Sequence, residues 1–400
     1  MRQMTLGSLF DGLGGWQIAA IRANVKPVWS SEIEKFPVAL TKYRFPNTQQ
    51  LGDITKIKGD EIEPVDIITS GSPCQDLSLA GNRSGLDGKR SGLFFEAMRI
   101  VREMRDKTNG VYPRYFVWEN VPGAYSSNKG MDFKAVLEEI TETSIPVPRH
   151  NKWAKSGMVR SGVCTVIWRT LDAQYWGVPQ RRCRIFLVAD YTGGGGTEEI
   201  LFKPEMLPRD TKQGKTERED ARPIPDGHTA KPISMCLDMS HACDVVRVNK
   251  DVCPTLQHRM GTGGNNIPLT IDKPMFCAGN GQLAQLHMQK NVGALNCMHD
   301  QQIVAIYQKD EKVGALNAAD RHGINNQYVQ QGKVIVTDYK LRRLTPLECE
   351  RLQGLPDNWT LIDDKTCSDS ARYKAIGNGM AQPCADFVIK RIAEHEESKA

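Results

Sequence analysis

The sequence predicts an α/β fold: a doubly wound, mostly parallel sheet in residues 1–190, followed by a smaller, mainly β domain. Three observations carry that expectation. Short apolar runs rich in β-branched and aromatic residues alternate with stretches of helical periodicity, the pattern of strand-helix-strand units. The first run leads into a glycine-rich turn, "FDGLGG", that opens a helix. After Asp190 the alternation stops at "YTGGGGTEE", and a polar texture rich in Asn, Gln and Gly replaces it.

In chain order, "MTLGSLF" (4–10), "KPVWSS" (26–31), "VDIITS" (65–70), "RYFVWENV" (114–121) and "CRIFLVAD" (183–190) read as strands. "WQIAAIRAN" (16–24), "FFEAMRIVREM" (94–104) and "DFKAVLEEI" (132–140) read as the helices between them. Residues 1–190 form the cofactor-binding and catalytic domain in this reading, and 191–340 the second domain, with 191–232 as its linker. Residues 341–371 are a hinge segment, and 372–400 a C-terminal helix returning to the first domain. In "LTPLECERLQGLP" (344–356), Thr345 suits an N-cap, Pro346 the first turn, Glu348 the third position and Gly354 the stop. A weak repeat runs through the second domain: "VGALN" occurs at 292–296 and 313–317, and the aligned Leu237, Leu256, Leu295 and Leu316 lie 19, 39 and 21 residues apart.

The 400 residues exceed what one core usually supports, which agrees with two domains. No run approaches the ~20 apolar residues of a membrane span, and the N-terminus lacks a signal-peptide core, so the expected location is the cytoplasm. Eleven cysteines, odd in number and never spaced C-x-x-C, argue against a disulfide framework and a zinc site; no metal is expected. The net charge of +5 names no partner by itself. Its distribution says more: between Arg149 and Arg184 eight basic residues face one acid, Asp172, interleaved with Trp153, Trp168, Tyr175 and Trp176. That stretch reads either as a solvated basic face or as a phosphate-binding surface with aromatic platforms.

The chemistry concentrates at strand ends. Gly12, Gly14 and Gly15 suit a turn that a nucleotide-type cofactor approaches closely, Glu32 ends the next strand where it can accept from ribose hydroxyls, and Asp53 with Ile54 can meet a base. Cys74 in "GSPCQDLS" (71–78) follows a strand end in a polar loop, a poor place to pack and a good one for a nucleophile. Glu119 follows apolar residues on the neighbouring strand, so desolvation should raise its pKa and make it a proton donor. Arg182 and Arg184, two apart as a strand starts, should share a face and hold a fixed anion or carbonyl.

These motifs, in this order, resemble those of the C5-specific DNA cytosine methyltransferases, of the bacterial and phage type. The resemblance spans roughly residues 4–190 and 341–390 and rests on "FDGLGG", "GSPCQDLS", "ENV", "QRRCR", "RRLTPLECERLQGLPD" and "IGNGM". It implies a Rossmann-like S-adenosylmethionine-dependent methyltransferase fold with a target-recognition domain. It places Phe10, Gly12, Leu13, Gly14, Gly15, Glu32, Ile33, Asp53, Ile54, Pro73, Leu93 and Asn378 at S-adenosyl-L-methionine. Cys74 becomes the nucleophile, Glu119 the contact to N3 and the amino group of cytosine, and Arg184, with Arg182, the holder of O2. Residues 76–92 look like a loop that closes on DNA, and Ser78, Arg90, Gln257, Arg259, Asn317 and Arg321 are the expected DNA contacts. Ser8 stands where many relatives carry an acid, and "GNGM" replaces a more frequent "GNS"; cofactor affinity is the property these departures touch.

The implied function is DNA cytosine-5 methylation of a base flipped out of duplex DNA, in a restriction-modification or phage protective setting. The expected partner is double-stranded DNA and the expected state a monomer, with no physical need for a cognate endonuclease. An RNA cytosine-5 methyltransferase of the same fold is the nearest alternative, and the large polar insertion favours duplex DNA over it. A catalytically inactive DNA-binding relative is disfavoured by the presence of Cys74, Glu119, Arg182 and Arg184. A nicotinamide oxidoreductase would rest on the glycine turn alone.

Overall fold

The computed structural model describes residues 2–72, 92–202 and 342–399, and between them 235–238, 247–250, 252–253, 255–256, 258, 269–270, 276–277 and 304–305. Eight strands form the main sheet: Thr5–Leu9 (β1), Lys26–Ser31 (β2), Gln49–Gln50 (β3), Ile67–Ser70 (β4), Tyr115–Asn120 (β5), Ser156–Arg160 (β6), Thr165–Asp172 (β7) and Cys183–Asp190 (β8). Their order is β3-β2-β1-β4-β5-β8-β7-β6. The first five run parallel, and β8, β7 and β6 add on antiparallel, so the fold is α/β around a mostly parallel sheet.

Helices cover both faces because the strands bury side chains on both. Leu93–Lys107 (α3) and Met131–Thr141 (α4) pack Phe94, Met98, Phe133 and Leu137 against Trp29, Ile68, Phe116 and Trp118. The opposite face is covered by Gly15–Arg22 (α1), the short Glu198–Leu201 (α5) and Gln382–Lys399 (α8), whose Val388, Ile389 and Ile392 meet Leu6, Val117 and Phe186. A third cluster joins Leu13 and Ile18 to Lys35–Arg44 (α2), Pro346–Gln353 (α6) and Asp369–Asn378 (α7) through Leu40, Phe45, Leu352 and Ile376. It closes the sheet's carboxyl edge behind the glycine turn.

The start of α6 is a reciprocal cap: Glu348 N donates to Thr345 Oγ1 at 3.2 Å, and Thr345 N donates to Glu348 Oε2 at 2.8 Å. Gly354 ends it in the left-handed region at φ 73°. The basic stretch differs from its sequence reading. Much of it is the β6-β7 pair, with Trp153, Trp168 and Arg169 buried; the tryptophans edge-pack on Phe133 and one another, and Arg169 Nη1 donates to Leu201 O at 2.7 Å. The two tryptophans are core rather than platforms. Arg149, Lys152, Lys155 and Arg181 remain exposed cations.

Beyond the main sheet, Met235–Asp238 (β9), Arg247–Lys250 (β10), Leu269–Thr270 (β11) and Arg342–Arg343 (β14) form a second sheet in the order β10-β9-β11-β14, and Phe276–Cys277 (β12) pairs with Val304–Ala305 (β13). The two described leucines of the repeat sit differently: Leu237 pairs in β9, whereas Leu256 is buried among Leu13, Ile18 and Leu344. Leu295 and Leu316 lie outside the described residues.

Candidate active site

Five parallel strands end at one edge, and the reversed β8 begins there. Glu119 pairs in register with Phe186 and Asn120 with Ile185, so Arg184 stands just past the end of β5. A strand start thereby delivers its first side chains to the edge where the parallel strands finish. Arg184 Nε lies 3.0 Å from Glu119 Oε1, both side chains about one-sixth exposed at 16% and 15%. Burial pushes the Glu119 carboxyl above its ordinary range; the charges of Arg184 and Arg182 and the Arg184 bond pull it down without cancelling the rise. The result is a carboxyl that holds its proton at higher pH than an exposed one, oriented by a fixed cation.

Gly71, at the end of β4, separates this pair from the glycine turn. A side chain there would meet Glu119 Oε2 at 3.6 Å and Phe10 O at 4.0 Å. Ser72, also buried, is anchored on β5 from both sides of Glu119: Trp118 Nε1 donates to Ser72 Oγ at 2.9 Å and Asn120 Nδ2 to Ser72 O at 3.2 Å. Asn120 is therefore a positioning residue that the sequence reading quoted in "ENV" without assigning it a role. Pro73, Cys74, Ser78 and Arg90, and the 76–91 part of the expected closing loop, lie outside the described residues, as do Gln257, Arg259, Asn317 and Arg321.

The turn after β1 divides its glycines. Gly12, at φ 54°, has no neighbour among the described residues within 4 Å of where a Cβ would stand, which leaves that side of the turn open to a ligand. Gly14, at φ 78°, is instead pressed on the Phe45 ring, 2.5 Å from a would-be Cβ, and Gly15 faces Gln382 Oε1 at 3.3 Å. Both thus serve close packing of the turn. Trp359 Nε1 donates to Leu13 O at 3.0 Å and Gln382 Nε2 to Gly15 O at 2.9 Å, so residues distant in sequence hold the turn from behind.

Glu32 folds over the turn, accepting from Gly12 N at 2.9 Å, Ile33 N at 2.7 Å and Glu34 N at 2.9 Å. A carboxylate has about four acceptor directions, so one remains for a ribose hydroxyl. Ile33 is 70% exposed beside it, an apolar surface without a protein cover. Asp53 caps a short helical turn through Thr55, whose bonds lower its pKa. Ile54 is buried in the core beneath, so its side chain packs the wall rather than lining open space. Leu93 begins α3 half-buried, and Asn378 ends α7 exposed. The open backbone at Gly12, the overhanging Glu32 and the bare Ile33 fit a nucleoside with a charged tail.

Asp11, inside the turn, went unnoticed in the sequence. It is 4% exposed, and its Oδ2 accepts from Gln17 Nε2 at 2.5 Å. Burial raises its pKa to about 6, with Glu32 adding a smaller push. No sequence signal distinguishes it from an ordinary turn aspartate.

An open glycine turn, a strand-end carboxyl with an arginine partner, and a sheet finished by reversed strands thus meet at one edge of the sheet. The profile of the C-5 cytosine-specific DNA methylases matches residues 4–394, and the chain belongs to that family. It is 27% identical to a DNA N-6-adenine-methyltransferase of Escherichia phage P1 over 98% of this chain, spanning 62% of that relative's length. It is also 26% identical to the Type II methyltransferase M.HpaII of Haemophilus parainfluenzae, covering 98% of this chain and 90% of the relative. In fold it is similar to Dnmt2 methyltransferase from S. pombe, with a TM-score of 0.54 and 16% identity over 98% of this chain and 99% of the other. Among the described residues no helix is long and apolar enough to cross a membrane.

Proposed function

We propose that this chain methylates C5 of cytosine in duplex DNA. The observation that carries the reading is the Glu119-Arg184 pair, set one strand from Ser72, two residues before Cys74. S-adenosylmethionine supplies an electrophilic methyl group; Gly12, Glu32 and Ile33 would hold it, with Asp53 and Asn378 at its edges.

C5 of cytosine is a weak nucleophile within an aromatic ring. The Cys74 thiolate adds to C6 as Glu119 gives a proton to N3, and the ring becomes an enamine whose C5 can accept the methyl group. Loss of the C5 proton then expels the thiolate, N3 returns its proton, and the ring regains aromaticity. Arg184 holds O2 and keeps Glu119 aligned. The base must leave the stack to reach this edge, at a cost of a few kcal/mol that protein-DNA contacts offset. Lys152, Lys155 and Arg181 suit phosphates, and the second domain suits base edges.

The name of the phage P1 relative points to a different atom, the adenine amino group. A thiol that adds to a ring carbon has no task there, so "SPCQ" favours cytosine. The test is DNA from cells expressing the protein, read for 5-methylcytosine by bisulfite conversion and for N6-methyladenine by nucleoside mass spectrometry, with transfer RNA as a parallel substrate. Sequence-specific 5-methylcytosine in DNA alone is the expected result. N6-methyladenine, or methylation confined to RNA, would replace the reading.

A further inference from the structure

Arg182 stands where its spacing from Arg184 suggests a second substrate contact, and the structure gives it other partners. Its side chain is 1% exposed. Nη1 donates to Leu256 O at 2.8 Å, and Nη2 donates to Gly377 O at 2.9 Å and to Gly379 O. The guanidinium is thus spent on carbonyls of two segments, the stretch between β10 and β11 that holds Leu256 and the end of α7.

Each segment touches something the reaction needs. At the first, Cys253 N donates to Pro179 O at 2.7 Å and Arg181 N to Cys253 O at 2.9 Å, which docks it on the run leading into β8 and Arg184. At the second, Gly379 lies against the cofactor turn: a Cβ there would come 2.8 Å from Leu13 Cδ1. Arg182 itself sits two residues before the guanidinium that meets Glu119.

We propose that Arg182 is a positioning residue that fixes the spacing of the cofactor turn, the base-holding Arg184 and the second-domain stretch around Leu256 without touching either reactant. The carbonyls of Gly377 and Gly379 need donors, since a helix end leaves them without intrahelical partners. Arginine is suited because its planar fork reaches acceptors on different segments at once, whereas a lysine ammonium is a single point. Its Nε is buried without a partner, a cost that argues for a role beyond stability. Its charge also reaches Glu119, where it lowers the proton affinity less than Arg184 does and against the larger effect of burial, while remaining out of contact.

The inference rests on the methyltransferase reading and is tested with Arg182→Lys in the full chain, by thermal midpoint, affinity for S-adenosylhomocysteine, and single-turnover methyl transfer on saturating duplex DNA. A folded variant should transfer at least about tenfold more slowly, as displaced reacting groups do. It should also bind S-adenosylhomocysteine about fivefold more weakly, since both sites lean on one group. Unchanged S-adenosylhomocysteine affinity with a lost DNA step would make Arg182 a base contact and overturn the proposal. A lowered midpoint with both functions intact would overturn it too, as a purely structural role. If Arg182→Lys does not fold, Gly379→Ala serves instead: its Cβ would come 2.8 Å from Leu13 Cδ1 and press the end of α7 against the cofactor turn with the guanidinium intact, and normal S-adenosylhomocysteine affinity there would count against the proposal. Should the wild type bind S-adenosylhomocysteine but methylate no cytosine, the functional reading fails while the affinity arm still judges Arg182.

Discussion

At the scale of single residues, the protonation of Glu119 governs the proposed chemistry. In the proposed step it donates as an acid, and its pKa is raised, so single-turnover transfer should fall as pH climbs through that raised value. Glu119→Gln should abolish this alkaline limb and slow the step by about 10²–10⁴, the usual worth of a general acid; an unmoved pH-rate profile would place the acid elsewhere. Cys74→Ser should stop turnover with S-adenosylhomocysteine binding intact, because a hydroxyl has too little anionic character at neutral pH to add to C6. Asp11 offers a stability test. Its folded pKa, about 6, exceeds the unfolded value of 3.8, so its favourable contribution is complete below 3.8 and is lost as pH rises through 6. Asp11→Asn should therefore raise unfolding free energy at pH 8 by up to about 3 kcal/mol and change it little at pH 4; urea titrations at the two pH values decide.

Among the elements, what was legible in the sequence was what local physics determines. β1, β2, β4, β5 and β8 announce themselves as apolar runs, and the cap of α6 is readable because its donors and acceptors lie three residues apart. Thr345→Ala should cost about 1 kcal/mol in a urea titration, the usual worth of such a cap. β7 was hidden because it buries a cation: "TVIWRTLD" carries Arg169, and the carbonyl of Leu201, distant in sequence, helps to satisfy it. The partners of Arg182 were hidden for the same reason, since its acceptors lie 74, 195 and 197 residues away. Glu119 and Arg184 could be found because strand ends carry chemistry, but their meeting depends on β8 running antiparallel, which no local pattern encodes.

For the whole molecule, the division of labour between domains is what remains to be measured. Cys253 and Leu256 are bonded to the catalytic edge, so the exchangeable reader should begin after residue 258. Exchanging 259–337 for the equivalent part of a relative should change the methylated sequence and leave S-adenosylhomocysteine affinity intact; extending the exchange back to 252 should weaken that affinity, as measured by calorimetry. The central claim, that Cys74 attacks the ring beside Glu119, is tested most directly by duplex DNA bearing 5-fluorocytosine at the methylated position, mixed with the full chain and S-adenosylmethionine. Fluorine cannot leave as a cation, so elimination stalls. The account predicts a denaturation-resistant complex whose tryptic map places the nucleotide on Cys74; normal methylation of the matching cytosine duplex with no such adduct, or an adduct on another residue, would contradict it.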